Sequence, residues 1–197
     1  MGSQSLVLFD FDGTLTNRNS LFEFLKFSKG LCVYYIGLAI LLPLFILFFL
    51  GLINAQALKE RVLSYFFKNY SEKKWIELCE IFAEKKIPSL LRKSGLEKLK
   101  IHQAENSKIL VVSASFEDYL KPWTKKMGLE CLATQIEVSE CALTGKIKGV
   151  NCNGLEKVKR IKEFLSVETF SPIYAYGDSK GDLPMLALAD FKFYNTF

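Results

Sequence analysis

Apolar positions along this chain fall into two kinds of run. Four runs are short, β-rich and bounded by small or polar residues: Ser5–Asp10, Lys108–Ser115, Pro172–Asp178 and Asp190–Asn195. Continuous hydrophobicity over so few residues predicts parallel strands buried on both faces. Elsewhere apolar residues recur at helical spacing, over Glu117–Met127 and over Leu155–Leu165. In the latter, Val158, Ile161, Phe164 and Leu165 share a face, and Gly154 is the boundary residue. Ala133–Gly149 alternates through a turn-like Ser139–Glu140 and reads as a strand running into a β-hairpin. Strands alternating with helices predict a doubly wound, Rossmann-like α/β sheet with right-handed crossovers.

The gap between the first two strands reads as helix throughout: Ser20–Ser28, Cys32–Leu52, Ala55–Lys68, Glu72–Lys86 and Leu90–Gln103. No βαβ crossover needs so many residues. The pattern therefore predicts an all-helical cap, residues 17–87, inserted into an α/β core made of residues 1–16 and 88–197.

One cap segment, Leu31–Ile53, is apolar enough to cross a bilayer, and no charge occurs from Gly30 through Leu58. A single crossing would separate Asp10 from Ser113 and Asp178, and two crossings need about 40 apolar residues. Two arrangements remain. The segment is a buried cap helix or helical pair broken at Pro43. Alternatively it is an interfacial helix or dipping hairpin flanked by Lys26, Lys29, Lys59 and Arg61. The lack of a polar face favours the second, which would suit an amphiphilic substrate.

Composition narrows the class. Half the residues are hydrophobic, which excludes a disordered chain. A net charge of +5 admits an anionic partner without calling for nucleic acid. The odd number of scattered cysteines (Cys32, Cys79, Cys131, Cys141, Cys152) argues against a disulfide framework or a zinc site and for a reducing cytoplasm. Each reads as a small buried hydrophobe. The start shows neither a signal peptide nor, with Leu6 in place of Ser or Thr, a myristoylation pattern. The expected location is cytoplasmic, with the apolar segment allowing a peripheral position on the inner membrane face. His102 reads as an exposed helix residue, Trp75 and Trp123 as packing residues.

Chemistry gathers at the carboxyl ends of strands in such sheets, where Asp10, Ser113 and Asp178 all fall. Asp10 and Asp12 in "LFDFDGTLT" lie one residue apart on an extended chain and point to one side. Gly13 allows the turn that brings both to one pocket. Side by side they repel, unless a divalent cation such as Mg²⁺ binds with its preference for oxygen ligands. One carboxylate could then attack phosphorus while the other manages a proton. In "YGDSKGDLPML", Asp178 and Asp182 supply further acidic ligands if Ser179 starts a helix. Ser113 offers a hydroxyl, and the Ala114 amide opens toward a helix N-terminus, a seat for phosphate. Lys157 is the best candidate for a cation at the phosphoryl group, ahead of Lys148 on the hairpin.

These motifs resemble those of the haloacid-dehalogenase superfamily of phosphohydrolases. "DFDGT" matches its D-x-D-x-T motif, Ser113 its Ser/Thr motif, Lys157 its Lys motif and "GDSKGD" its G-D-x-x-x-D motif, in family order. The cap position resembles the phosphoserine-phosphatase-like branch, subfamily IB. The register of Lys157 in "GLEKV" is similar to that of phosphatases resembling bacterial phosphatidylglycerophosphatase C. The resemblance implies Asp10 as nucleophile and Asp12 as general acid, then base. It implies Mg²⁺ held by Asp10, the Asp12 carbonyl and Asp178, with Asp182 supporting. Gly13, Thr14, Ser113, Ala114 and Lys157 would bind the phosphate of a small phosphorylated substrate. The family's phosphoserine enzymes carry Glu nine residues after the nucleophile; here that position is Asn19, which argues against phosphoserine. Asn17, Arg18, Asn19 and Arg61 are the cap polar groups that could face the site. The expected function is a Mg²⁺-dependent phosphomonoesterase. The alternatives are a lipid-phosphate phosphatase at the membrane surface and, from another class, an inactive membrane-associated binding protein.

Overall fold

The computed structural model describes residues 4–197, so the Met1–Ser3 part of the start lies outside the described residues. The chain runs β1 (Leu6–Phe9), α1 (Ser20–Phe49), α2 (Ala55–Phe67), α3 (Glu72–Lys85), α4 (Ile87–Leu90) and α5 (Lys93–Ala104). It continues with β2 (Lys108–Phe116), α6 (Glu117–Lys126), β3 (Glu130–Thr134), β4 (Ile136–Ser139) and β5 (Ala142–Ile147). The last part holds α7 (Leu155–Phe164), β6 (Ile173–Gly177), α8 (Leu183–Leu186) and β7 (Phe191–Tyr194). Strands β3-β2-β1-β6-β7 form one parallel sheet, and β4-β5 is a separate antiparallel hairpin.

All four β1 residues are fully buried because helices cover both sheet faces. Val7 and Phe9 join one core cluster with Leu99 of α5 and Leu120 of α6; Leu6 and Leu8 join another with Ile161 of α7 and Met185 of α8. Strand alternation assigns neighbours to opposite faces, which is why the run reads as unbroken hydrophobicity. The chain moves from β1 outward through β2 and β3, then returns to the other side of β1. The end of β1 is therefore the point where strand order reverses. The sheet matches the predicted class, with one strand placed differently. The parallel edge strand is Glu130–Thr134, earlier than the alternation from Ala133 indicates, and the hairpin follows it.

The helical cap follows β1 as expected. Trp75 lies against Phe24 and Phe67, and Phe24 also contacts Phe82 and Tyr119, so aromatic rings join α1, α2, α3 and α6. Several expectations are corrected. The break in α1 is at Gly30, with φ 76°, and not at Pro43, which stays inside the helix. The combination of φ 76° with ψ 163° is one that essentially only glycine adopts, whereas a helical Pro removes one hydrogen bond and keeps a helical φ. The apolar stretch is not a buried cap helix: within residues 31–53 only Tyr34, Gly37 and Leu41 are buried. His102 is buried, its Nε2 2.9 Å from the Tyr176 hydroxyl, with Glu105 3.3 Å from Nδ1. Cys32 and Cys141 are exposed, the latter at the hairpin turn, where no core reaches it. Trp75 and Trp123 are buried packing residues.

Candidate active site

Asp10 directly follows β1, and its amide donates to the Tyr176 carbonyl of β6, 2.9 Å away. Main-chain pairing thus fixes the nucleophile candidate between β2 and β6. The turn that follows needs Gly13, which has φ 83°; a Cβ there would stand 2.0 Å from Asp178 Oδ2. The close approach carries Thr14 Oγ1 to within 3.5 Å of Asp178 Oδ1.

Lys157, from the first turn of α7, is fully buried and reaches across the floor of the site. Its Nζ lies 2.6 Å from Asp10 Oδ1, 2.6 Å from Asp182 Oδ1 and 2.7 Å from the Val112 carbonyl. Its three N–H donors are matched by three acceptors. Burial alone would discharge this ammonium, but Asp10 and Asp182 outweigh it and hold its pKa above the usual lysine value. Lys148 is exposed beyond the hairpin, far from such a role.

Asp182 caps its own turn. Its Oδ2 accepts from the Ser179 amide (2.9 Å) and hydroxyl (2.7 Å), a capping box on the short 3-10 helix Lys180–Asp182. This is the local structure that brings Asp182 back toward Asp178. Burial works to raise the Asp182 carboxyl, but Lys157 and the Ser179 donors prevail, and its pKa is lowered.

Oxygen atoms of Asp10, Asp178 and Asp182 lie within 4.8 Å of one another. Burial first, then the neighbouring Asp182 charge, pushes the Asp10 carboxyl up to about 7 despite Lys157. Burial and Asp182 also raise Asp178. Three carboxylates against one ammonium leave two negative charges uncompensated. A hard divalent cation with a preference for oxygen ligands fits this donor set in charge and chemistry.

Asp12 is kept apart from that cluster. Its Oδ1 accepts from the Ser20 amide (2.8 Å), and its Oδ2 from the hydroxyls of Ser20 (3.0 Å) and Ser115 (2.5 Å). Ser20 and Ser115 are 2.8 Å apart, and the Tyr119 hydroxyl is 3.0 Å from Ser20. Burial raises the Asp12 pKa; the Ser115 and Ser20 hydrogen bonds hold it back.

The pairing of β2 with β3 slips between Ser113 and Phe116, a bulge over Ala114 and Ser115. Bulges re-aim side chains. Here Ser115 turns to Asp12, while buried Ser113 Oγ accepts from the Ser115 amide at 3.0 Å. Strand β2 runs on to Phe116, so α6 starts at Glu117 and the Ala114 amide does not open directly onto a helix N-terminus.

A cavity of about 60 Å³ opens beside Asp12, lined among others by Asn19, Leu21, Lys59, Ser115 and Tyr119. That is room for about two waters. Of the four cap groups considered from sequence, only Asn19 lines it. Lys59, expected at a membrane flank, is instead in the cavity wall. Its Nζ donates to the Ala114 carbonyl (2.6 Å) and Asn151 Oδ1 (2.7 Å), and burial depresses its pKa to about 8. A larger cavity of about 860 Å³ along α6 and β3 contains none of these acidic groups.

Residues 7–187 match the family model of the haloacid dehalogenase-like hydrolases. Protein CicA of Caulobacter vibrioides is 34% identical over 194 residues, covering 98% of this chain and 86% of that protein. A probable phosphatase of Mycobacterium tuberculosis is 34% identical over 88 residues, 43% of this chain and 30% of that one. Among solved structures, a Bordetella pertussis protein of unknown function superposes with TM-score 0.79 at 22% identity, over 95% of this chain and 87% of that one. A phospho-aspartyl intermediate analogue of phosphoserine phosphatase superposes with TM-score 0.68 at 21% identity, over 98% and 86%.

Proposed function

The chain belongs to the haloacid dehalogenase-like hydrolase family, and on that premise we propose that it hydrolyses a phosphate monoester through an aspartyl-phosphate on Asp10. The observation that carries this reading is the division of labour between two nearby carboxylates. Asp10 is gripped by Lys157 within the acidic group, whereas Asp12 is held by hydroxyls beside a cavity.

In this reading the Asp10 carboxylate attacks phosphorus, and the bond to the leaving oxygen breaks. Asp12, whose raised pKa favours the protonated form, gives its proton to that oxygen. The resulting Asp12 carboxylate then takes a proton from the water that attacks the aspartyl-phosphate. Phosphate leaves and Asp10 is restored. Lys157 and Ser113 hold phosphoryl oxygens, with main-chain amides of the Gly13–Thr14 turn and Ala114 around them. Mg²⁺, held by Asp10, Asp178 and the Asp12 carbonyl with Asp182 in support, would offset the charge of the phosphoryl group. Residues 17–87 act as the cap, and Ser20 of α1 orients Asp12. Magnesium-dependent hydrolysis of an aryl phosphate, lost in Asp10→Asn with the fold intact, is the expected result; turnover retained in that variant contradicts the proposal.

A second reading concerns the substrate. Asn19 and Leu21, which line the cavity, stand at the start of the helix whose far end is exposed and apolar. This favours an amphiphilic phosphate ester over phosphoserine. A panel of esters that includes lipid phosphates in detergent tests it: turnover confined to small polar esters would count against it.

A further inference from the structure

The largest unexplained feature of the surface is Leu31–Ile53. Leu31, Tyr35, Ile36, Ile40, Leu42 and Ile46 are exposed along α1, and Phe49, Leu50 and Leu52 at its end are 82%, 67% and 68% exposed. Monomeric soluble proteins rarely show contiguous apolar surface on this scale. The buried positions, Tyr34, Gly37 and Leu41, form one narrow stripe.

The root of this helix carries the second observation. Glu23 is buried there with Lys26 at 2.8 Å and with Arg18 and Lys86 each at 3.6 Å. These four charges, with Phe27, Leu31 and Tyr35, line a surface cavity of about 380 Å³. Three cations share one carboxylate, so two positive charges remain at the edge of the apolar face. Lys29 adds a third, lying over the Phe67 and Tyr70 rings. No acidic residue occurs between Glu23 and Glu60.

That asymmetry selects the partner. A second copy of this patch, in either orientation, has no carboxylate between residues 24 and 59 to meet those cations. An anionic bilayer offers both an apolar layer and a negative headgroup plane. The α1–α2 pair cannot leave the core to span a bilayer. Helix α2 is tied down by Lys59 to Ala114 and Asn151, by Glu60 to the Ile147 amide and by Ser64 to the Gly145 carbonyl.

We propose that Leu31–Ile53 docks on an anionic lipid bilayer, with Phe49, Leu50 and Leu52 among the acyl chains and Arg18, Lys26 and Lys86 at the headgroups. The proposal rests on the amphiphilic-substrate reading and gives it a source, but docking itself needs no turnover.

Sedimentation of the full chain with vesicles tests it, using phosphatidylcholine alone and with phosphatidylglycerol added. Binding to the anionic vesicles, weakened by salt and much lower on neutral ones, is expected. Ile36→Ser/Ile40→Ser/Phe49→Ser should abolish it while hydrolysis of a soluble aryl phosphate is unchanged. Arg18→Ser/Lys86→Ser should weaken it roughly 25-fold, at about fivefold per cation. Asp10→Asn should still bind, so failure of the phosphatase reading would show in activity alone. Three outcomes overturn the proposal: no binding to either vesicle, equal binding to both, or a wild-type dimer that the triple variant converts to monomer.

Discussion

Two lysines reach into this site, a buried one in its floor and a half-buried one in its roof, and they meet opposite electrostatic conditions. Lys157 rises from α7 between two carboxylates, and its pKa is held up. Lys59 descends from α2 onto two neutral oxygens, and burial depresses its pKa to about 8. Lys157 is the more deeply buried of the two, yet it is the one whose charge is held; compensation makes the difference. The floor cation belongs to a group of charges in which carboxylates outnumber it. The roof cation touches no carboxylate, and the more distant field of Asp12 is the main one that favours its charged form. A buried charge reports function or strain only when its partners are named with it.

The comparison breaks first at the floor. Lys157→Met leaves Asp10 and Asp182 buried without their cation, and truncating one partner of a buried pair typically costs about 3–5 kcal/mol. Thermal or urea unfolding should show a loss of that order at pH 7, with phosphatase activity near background. The loss should shrink at acidic pH as the two carboxylates take up protons. An unchanged midpoint would mean that the triad carries no weight.

A smaller effect is expected beside Asp12. Ser115→Ala removes a hydrogen bond to a carboxylate, a contact worth about 1.5–3 kcal/mol. The variant should lose about ten- to a hundredfold in kcat. Because the Ser115 bond lowers the Asp12 pKa, its removal raises it, and the alkaline limb of the pH profile should move to higher pH. A loss in kcat with an unmoved limb would point to a purely structural role for Ser115.

The roof gives the smallest effect at neutral pH. The Lys59 pKa is lowered from 10.5 to about 8 on folding. Between those values the unfolded chain binds more protons, so stability should rise with pH there, by up to about 1.4 kcal/mol per pH unit. At pH 7 Lys59→Met removes a charge that burial disfavours together with two hydrogen bonds, so the two effects offset and the net change should be smaller than for Lys157→Met; the variant should also flatten that rise. A rise of equal slope in the variant would show that Lys59 is not its source.

The floor was legible in the sequence and the roof was not. Asp10, Asp178 and Asp182 announce themselves by position, because strand ends and a capping turn fix them locally. Lys157 follows from its place at the head of a helix. Ser115 depends on a bulge between Ser113 and Phe116 that no periodicity reveals. Lys59 meets Ala114 across 55 residues of chain, so its run reads only as the flank of an apolar segment. His102 departs from its expected exposure for the same reason: its burial depends on Tyr176, 74 residues away. The Leu31–Ile53 segment shows the converse. Its hydrophobicity is plain from sequence, but whether it is covered is a tertiary property that only the packing against α2 decides.

The central claim is a covalent phosphoryl group on Asp10, and it can be trapped. Enzyme mixed with an aryl phosphate and Mg²⁺, then quenched in acid during turnover, should carry one added phosphoryl mass on the peptide that contains Asp10. The label should disappear in Asp10→Asn. Steady turnover with no label on that peptide, or with the label on another residue, would contradict the account.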